Sequence, residues 1–231
     1  MIKIEGLIKA YREAVVLDIP NLEINKNECF GLVGNNGAGK TTLFRIMLDL
    51  VRATEGHVLY EGEDVSREEA WKSKVGAYLD EHMLLTYLTP DEYFECLRKI
   101  YGLSKEDLIH HLENFTELFS GEILGKKKYI RDLSKGNLKK VGVAAALLGN
   151  PEVVLLDEPF ENLDPSSQNR LKRLILHEKQ RRNVTFLLSS HDLAHVTDIC
   201  DRIVLLENGK VIKDLVDKEN MAWVLNEYFD K

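Results

Sequence analysis

The stretch GNNGAGKT at residues 34–41 constrains the fold of this chain more than any other part of its sequence. It satisfies the pattern GxxxxGK[ST], which requires a strand before it and a helix after it. An apolar run at 28–33 predicts the strand, and apolar spacing from Lys40 to about Leu50 predicts the helix. The glycines let the backbone curl until several N–H groups point inward, and the helix adds its positive end. The pattern therefore predicts a strand, loop and helix unit that binds a triphosphate.

The side chains of this loop have separate predicted roles. Lys40 is predicted to place a mobile cation on the β- and γ-phosphates, and the hydroxyl of Thr41 is predicted to ligate Mg²⁺. Thr42 is predicted to help hold the α-phosphate. The predicted nucleotide-binding residues of this segment are Gly34, Asn35, Asn36, Gly37, Ala38, Gly39, Lys40, Thr41 and Thr42.

Polar residues also follow two later apolar runs. VVLLDE at 153–158 puts Asp157 directly after a predicted buried strand, where a carboxylate can orient Mg²⁺ or its water ligand. Glu158 comes next and is a candidate general base for an attacking water, a role typically worth ~10²–10⁴ in rate. His191 ends the apolar run in LLSSH, where an imidazole can donate to the γ-phosphate. With the glycine loop, these residues predict a site that binds and hydrolyses ATP.

The order of the remaining elements predicts an α/β fold. Nearly continuous apolar strands alternate with helices late in the chain, which is typical of a buried and mainly parallel sheet. We expect a single domain, 1–231, with a helical insertion at about 83–150 and a short amphipathic helix at about 217–230. The predicted strands are 2–8, 15–24, 28–33, 153–157, 184–190 and 203–212, and helical segments are predicted from Pro165 and from Asp192.

Composition and charge disfavour several other classes of protein. The 231 residues are 44% hydrophobic and 30% charged, and no apolar run approaches the roughly 18 residues of a membrane helix. The N-terminus lacks the apolar stretch of a secretory signal, so we expect a cytoplasmic chain. A net charge of −7 gives little attraction to a polyanion, so direct binding of nucleic acid is not expected. Cys29, Cys96 and Cys200 are interpreted as packing residues, and the adjacent His110 and His111 as surface or packing residues.

In their order along the chain, these motifs resemble the nucleotide-binding subunit of an ATP-binding cassette (ABC) transporter, and the resemblance covers nearly the whole sequence. LSKGN at 133–137 is similar to the LSGGQ signature of the family, and ENLD at 161–164 is similar to its dimer-contact loop. His191 matches the family's switch histidine. Tyr11 lies where the family places a ring that stacks on adenine, although an ordinary strand aromatic is the alternative. The resemblance implies a P-loop NTPase core with a mainly parallel sheet, an N-terminal antiparallel β-subdomain and an inserted α-helical subdomain.

The resemblance also implies a second subunit. In this family the signature of one subunit faces the phosphate loop of the other, so each ATP is bound between two copies arranged head to tail. Ser134 and Gly136 stand at the start of a predicted helix, and Asp164 of the dimer-contact loop completes the predicted ATP-binding set. Lys135 and Asn137 replace a glycine and a glutamine of the consensus, and we expect both changes to be tolerated. We expect a homodimer, while a heterodimer stays open.

The segment VGAYLDEHM departs from the family, which places a glutamine after this strand. Here Asp80 and Glu81 occupy the neighbourhood. Asp80, five residues beyond Val75, is the preferred equivalent and is predicted to ligate or hydrogen-bond around Mg²⁺. Glu81 stays open as the alternative, as does a solvated acidic loop, because a second carboxylate also adds negative charge near the γ-phosphate.

The resemblance therefore implies the ATP-hydrolysing motor of an ABC transporter, held at the inner face of the cell membrane by a separately encoded, polytopic permease. The segment that begins at Leu88, LTPDEYFECLRKIYGLSKEDL, and the short tail resemble exporters, while the substrate is not encoded here. A soluble ABC ATPase of a nucleic-acid or ribosomal machine is the alternative. A P-loop kinase has no use for LSKGN, and a degenerate nucleotide sensor would not keep the whole set of hydrolytic residues.

Overall fold

A computed structural model of the chain describes residues 1–216; the tail helix predicted at about 217–230 lies outside them. The first of two sheets has four strands in the order β2-β1-β4-β5, and all neighbours in it are antiparallel. Its strands are β1 (Ile2–Tyr11), β2 (Ala14–Ile24), β4 (Glu55–Tyr60) and β5 (Glu63–Asp64).

The second sheet has six strands in the order β10-β9-β3-β8-β7-β6 and is parallel except for its β9–β10 edge. Both of its faces are covered, which explains the continuous apolar runs: in β7, Val153 and Leu155 enter one core, while Val154 and Leu156 enter the other. Its strands are β3 (Cys29–Val33), β6 (Val75–Tyr78), β7 (Val153–Leu156), β8 (Thr185–Ser190), β9 (Arg202–Glu207) and β10 (Lys210–Leu215).

Four helices occupy the insertion between β6 and β7. Two of them begin with a reciprocal capping box, in which Thr89 pairs with Glu92 and Ser104 pairs with Asp107. These helices pack into the core on one face of the six-stranded sheet, whereas the antiparallel sheet and the helix after the glycine loop pack on the other face. The seven helices of the described residues are α1 (Lys40–Met47), α2 (Pro90–Ile100), α3 (Lys105–Glu113), α4 (Thr116–Phe119), α5 (Lys135–Ala146), α6 (Pro165–Arg182) and α7 (Leu193–Ile199). None of them combines the length and apolar character needed to cross a membrane.

One predicted strand is wrong. The run 203–212 was expected to be continuous, but it falls into β9 and β10, which form an antiparallel hairpin. Asn208 and Gly209 lie between them with φ of 47° and 77°. Asn-Gly is the residue pair that best tolerates two consecutive left-handed conformations, so the chain reverses there.

The parallel strands place the predicted functional residues on one edge. Strands β3, β8, β7 and β6 are consecutive neighbours, and their carboxyl ends meet at the same side of the sheet. The glycine loop follows β3, His191 follows β8, Asp157 and Glu158 follow β7, and Asp80 follows β6 closely. This edge is where ligands bind in open α/β sheets.

Candidate functional site

The phosphate loop is held in a curled conformation by close contacts. Gly39 adopts a φ of 109°, which a residue with a side chain rarely accepts. A Cβ added to Gly34 would lie 2.2 Å from the carbonyl oxygen of Leu206, so only glycine fits there. The N–H of Gly209 donates to the carbonyl of Ala38 at 3.0 Å. The loop is therefore built around a concave backbone that side chains would fill.

Lys40 points back into this loop. Its side chain is only 6% exposed, and its Nζ donates to the carbonyl oxygens of Gly34 at 2.6 Å and Asn35 at 3.4 Å. The same atom lies 3.3 Å from Oε1 of Glu158. The structure thus places the predicted cation between the curled backbone and the candidate base.

Thr41 and Asp157 meet directly. Thr41 Oγ1 donates to Asp157 Oδ2 at 2.5 Å, and the hydroxyl of Ser189 donates to the other carboxylate oxygen. Burial raises the pKa of Asp157, because an apolar surrounding disfavours the charged form. A hydroxyl and a carboxylate are oxygen ligands of the kind that Mg²⁺ accepts, and Mg²⁺ usually completes its shell with water and phosphate oxygens. The residues present therefore fit this ion.

Glu158 is fixed from several sides. Its φ is 49°, and its N–H donates to Ser189 Oγ at 2.9 Å. Its Oε2 lies 3.0 Å from Nδ1 of His191 and accepts from the His191 N–H at 3.3 Å. Its Oε1 is buried, has no hydrogen-bond donor within residues 1–216, and faces the Lys40 ammonium. The carboxylate is therefore held between Lys40 and His191, which keeps the candidate general base beside the phosphate loop.

Asp80 lies beside this group with other partners. Its Oδ2 lies 3.1 Å from Nη2 of Arg45, and its Oδ1 accepts from the N–H of His82 at 2.9 Å. Asp80 and Glu81 line a cleft together with Asp157 and the candidate base. No hydrogen bond joins Asp80 to the Thr41–Asp157 pair in the part of the chain described. The structure places Asp80 near the predicted metal position and pairs it with a cation of α1.

Ser134, Gly136 and Asp164 lie away from the phosphate loop of their own chain. Ser134 is exposed and caps α5, its Oγ accepting from the N–H of Asn137 at 3.2 Å. A Cβ on Gly136 would lie 2.8 Å from the carbonyl oxygen of Asn162, so the two segments touch. Asp164 is exposed and caps α6. Among the described residues, no hydrogen bond or ion pair joins any of the three to the nucleotide loop.

Tyr11 ends β1 and is half exposed, with the Lys9 ammonium 4.6 Å from the centre of its ring. It pairs with Ala14 at the start of β2. Two residues further along that strand, the carbonyl of Val16 comes within 3.1 Å of the Cβ position of Gly39. The β1–β2 hairpin therefore reaches the phosphate loop and carries the Tyr11 ring at its tip.

Comparison with known proteins identifies the family. The family described as "ABC transporter" matches residues 17–161. The chain belongs to the ABC transporter family. The expected family membership is confirmed, and the chain is an ABC ATPase.

Three similar proteins extend this result. The lantibiotic transport ATP-binding protein SrtF of Streptococcus pyogenes is 30% identical over 98% of this chain and 96% of its own length. The methionine import ATP-binding protein MetN of Carboxydothermus hydrogenoformans is 32% identical over 93% of this chain and 66% of its own length. The dimeric structure of MJ0796, a bacterial ABC transporter cassette, matches with a TM-score of 0.83 at 25% identity, covering 94% of this chain and 98% of that one. The predicted fold class is confirmed.

Three contributors to the ABC ATPase site were missed in the sequence. Ser189 bridges Asp157 and the backbone of Glu158; a polar residue at the end of an otherwise apolar strand was the signal. Lys139 of α5 donates from Nζ to the carbonyl oxygen of Glu158 at 2.5 Å, and burial lowers its pKa. Arg45 pairs with the carboxylate after β6. The two cations had no recognisable signal, because lysine and arginine are common on helices.

Proposed function

We propose that this ABC ATPase is the motor subunit of a transporter, works as a homodimer, and drives a separately encoded, polytopic membrane permease. The observation that carries the proposal is the meeting of Lys40, Glu158 and His191 at the carboxyl edge of the parallel sheet. The proposed base, Glu158, lies within ion-pair distance both of the phosphate-binding cation and of the histidine that orients it. A protein that only senses nucleotide would not need this set.

The residues divide the work of hydrolysis. The inward N–H groups of residues 34–41, the start of α1 and Lys40 bind the phosphates and offset their charge. Glu158 takes a proton from the attacking water, and His191 holds the carboxylate and donates to the γ-phosphate. Thr42 stays a predicted contact of the α-phosphate, and Tyr11 a predicted stacking surface for adenine.

Thr41 and Asp157 are proposed to hold Mg²⁺, which offsets phosphate charge when bound. Ser189 keeps the Asp157 carboxylate in place by donating to its second oxygen. Asp80 is proposed to act around the same ion through a hydrogen bond or a water. Its Arg45 partner offsets the added negative charge that a carboxylate brings at this position.

The second half of each site is proposed to come from another copy. Ser134 offers an exposed hydroxyl at the N-terminus of the 12-residue α5, and the nearby Asp164 is also exposed. Both stand on the surface rather than at their own phosphate loop. The dimeric MJ0796 cassette, with its similar fold, supports a two-copy arrangement. Gly136 is proposed to serve here by letting residue 162 approach the signature.

A membrane partner and export are the finer parts of the proposal. The segment from Leu88 resembles exporters, and the likeness to the lantibiotic transport protein SrtF over 98% of this chain supports that part of the proposal. A chain of this kind would act in the cytoplasm at the inner face of the membrane. Affinity purification from membranes is expected to recover a polytopic protein with the tagged chain. Recovery of ribosomes or nucleic acid instead would contradict this partner.

Glu158→Gln tests the hydrolytic mechanism. The amide keeps the size of the side chain but cannot accept the proton, so kcat is expected to fall ~10²–10⁴-fold while ATP still binds. ATP turnover by phosphate release and binding of a fluorescent ATP analogue measure the two effects. Glu207→Gln, an exposed change at the end of β9, is the control and should keep normal turnover. Near-normal steady-state turnover of Glu158→Gln would refute Glu158 as the base.

A further inference from the structure

The segment 158–164, which carries the base and the dimer-contact loop, lies directly against the first turns of α5. Gly136 in the first turn touches the carbonyl oxygen of Asn162, as the 2.8 Å distance from its Cβ position shows. One turn later, the Nζ of Lys139 donates to the carbonyl oxygen of Glu158 and lies 3.8 Å from Oε2 of Glu161. The helix that starts with the signature is therefore tied to the base within one chain.

The backbone conformation of Glu158 needs contacts that hold it in place. Its φ of 49° lies in the left-handed region, which costs energy for any residue with a side chain and persists only when the surroundings hold it. Ser189 holds the N–H side of this residue. On the carbonyl side, the oxygen accepts from Lys139 and, at 3.2 Å, from the N–H of Glu161. The direction of the carboxylate thus depends on contacts at both ends of the residue.

Lys139 is an unusual residue for this contact because its side chain is buried. It is only 9% exposed, although lysine is rarely buried unless it is paired. Among the described residues, its hydrogen-bond acceptor is the carbonyl of Glu158, and its ion-pair partner is Glu161. An ammonium taken out of water loses much free energy when it loses such partners. The contact therefore resists separation of α5 from Glu158.

We propose that Lys139 is a positioning residue for hydrolysis, which ties the direction of the Glu158 carboxylate to the position of α5. A shift of α5, when Ser134 at its start engages a nucleotide held by the second copy, is passed through the Lys139 ammonium to the backbone of the base. The signature then controls the base of its own chain as well as the ATP bound by its partner. This inference rests on the proposed role of Glu158 as base.

Substitution of Lys139 in the full chain tests the proposal. Lys139→Met keeps the length of the stem but removes the donor, and kcat is expected to fall on the order of 10- to 100-fold, the loss expected for one charge-assisted hydrogen bond. The KM for ATP should change less than about threefold, because the phosphate loop is untouched. Lys139→Arg restores a donor and is expected to recover most of the turnover. Lys179→Met is the matched control, since it removes a half-buried ammonium that is paired with Asp201 away from the site.

A double-mutant cycle separates positioning from a general loss of structure. If Lys139 acts through Glu158, adding Lys139→Met to Glu158→Gln should lower the single-turnover rate by less than twofold. Amide hydrogen exchange in the 158–164 segment should be faster in Lys139→Met than in the Lys179→Met control. Full additivity, or unchanged kcat in a folded Lys139→Met, would overturn the proposal. If Lys139→Met does not fold, Lys139→Gln replaces it in the same cycle. Full additivity or unchanged kcat in that variant would again overturn the proposal.

Failure of this inference can be told apart from failure of the mechanism. If Glu158→Gln turns over normally, the proposed base is wrong, and the positioning role of Lys139 falls with it. If Glu158→Gln loses turnover but Lys139→Met keeps it, the base stands and the positioning role falls. A loss of ATP binding in Lys139→Met would also contradict the inference, because that result would indicate damage to the phosphate loop.

Discussion

At the scale of single residues, the carboxylate after β6 is one of the places where this chain departs from the family pattern. Asp80 contacts Arg45 of α1 through one carboxylate oxygen and the N–H of His82 through the other, so its charge is paired. The pair connects the strand that precedes Asp80 to the helix that starts at Lys40. A neutral glutamine would not need a cation here, whereas an aspartate does.

Asp80→Ala is expected to weaken the binding of Mg²⁺, so that hydrolysis requires a higher Mg²⁺ concentration. Partners that hydrogen-bond around a metal typically contribute 10- to 100-fold to its affinity, so the Mg²⁺ concentration for half-maximal ATPase should rise about 10-fold. A Mg²⁺ titration of the ATPase rate at saturating ATP measures this. Glu81→Ala is the comparison and is expected to leave the titration unchanged. Unchanged Mg²⁺ affinity and rate in Asp80→Ala would remove Asp80 from the site.

Some residues of the site could be placed from the sequence because their spacing is itself the signal. Lys40 and Thr41 follow the glycines at a fixed offset, and Glu158 follows the last apolar residue of its strand closely. Ser189 and Lys139 were not predicted, because each acts on a residue far away in the chain. Ser189 lies 31 residues from Glu158, and Lys139 lies 19 residues from it. A single sequence does not indicate which strand lies beside which.

At the scale of elements, the docking of α3 on α5 includes a half-buried histidine. His111 Nε2 bonds the carbonyl of Ala144 at 2.8 Å, and its ring packs 4.9 Å from that of Phe115. Burial lowers the pKa of His111 to about 4. Of the two adjacent histidines, His111 is therefore the packing residue, and His110 is exposed.

The stability of the cassette is expected to fall on mild acidification through this histidine. In the unfolded chain a histidine gains its proton near pH 6.5, whereas His111 in the fold resists it until about pH 4. The contribution of neutral His111 to the free energy of unfolding is complete above pH 6.5 and is lost as the pH falls toward 4. At pH 5 the loss is about 2 kcal/mol. Urea unfolding at pH 7.5 and pH 5 measures the difference. His111→Leu should lack this part of the pH dependence, and His110→Gln should retain it. An equal loss of unfolding free energy between pH 7.5 and pH 5 in the wild type and both variants would contradict the expectation.

The predicted elements failed where tertiary contact or turn chemistry decided them. The run 203–212 reads as one long strand by hydrophobicity, yet Asn208-Gly209 inside it is a turn signal that should have divided it. Strand β4 was not predicted at all, because EGHVLY alternates only weakly and becomes a strand by pairing with β1. The buried strands β7 and β8 were predicted well, since both faces are apolar and their signal is strong.

At the scale of the whole molecule, a head-to-tail dimer predicts complementation between two inactive variants. Lys40→Ala disables the phosphate loop, and Ser134→Arg blocks the signature surface. A mixed dimer would still contain one site in which both halves are wild type. Random pairing of equal amounts should therefore restore roughly a quarter of the intact sites.

The measurement is ATP hydrolysis by each variant alone and by mixtures refolded or coexpressed together. Each variant alone should be inactive, and mixtures should regain activity. The control is a mixture of Lys40→Ala with a variant that carries both Lys40→Ala and Ser134→Arg, and this mixture should remain inactive. No recovery in mixtures that do form dimers would contradict a site shared between two copies.

The turn at Asn208-Gly209 has a consequence for how this fold can vary. Its backbone bonds both Asp18 of the antiparallel sheet and Ala38 of the phosphate loop, while Leu206 beside it closes against Gly34. A short surface hairpin is usually a place where a protein accepts extra residues. Here added length would pull apart three parts of the molecule at once. The tip of this hairpin should therefore be closed to insertions, and fusions or tags belong elsewhere on the chain.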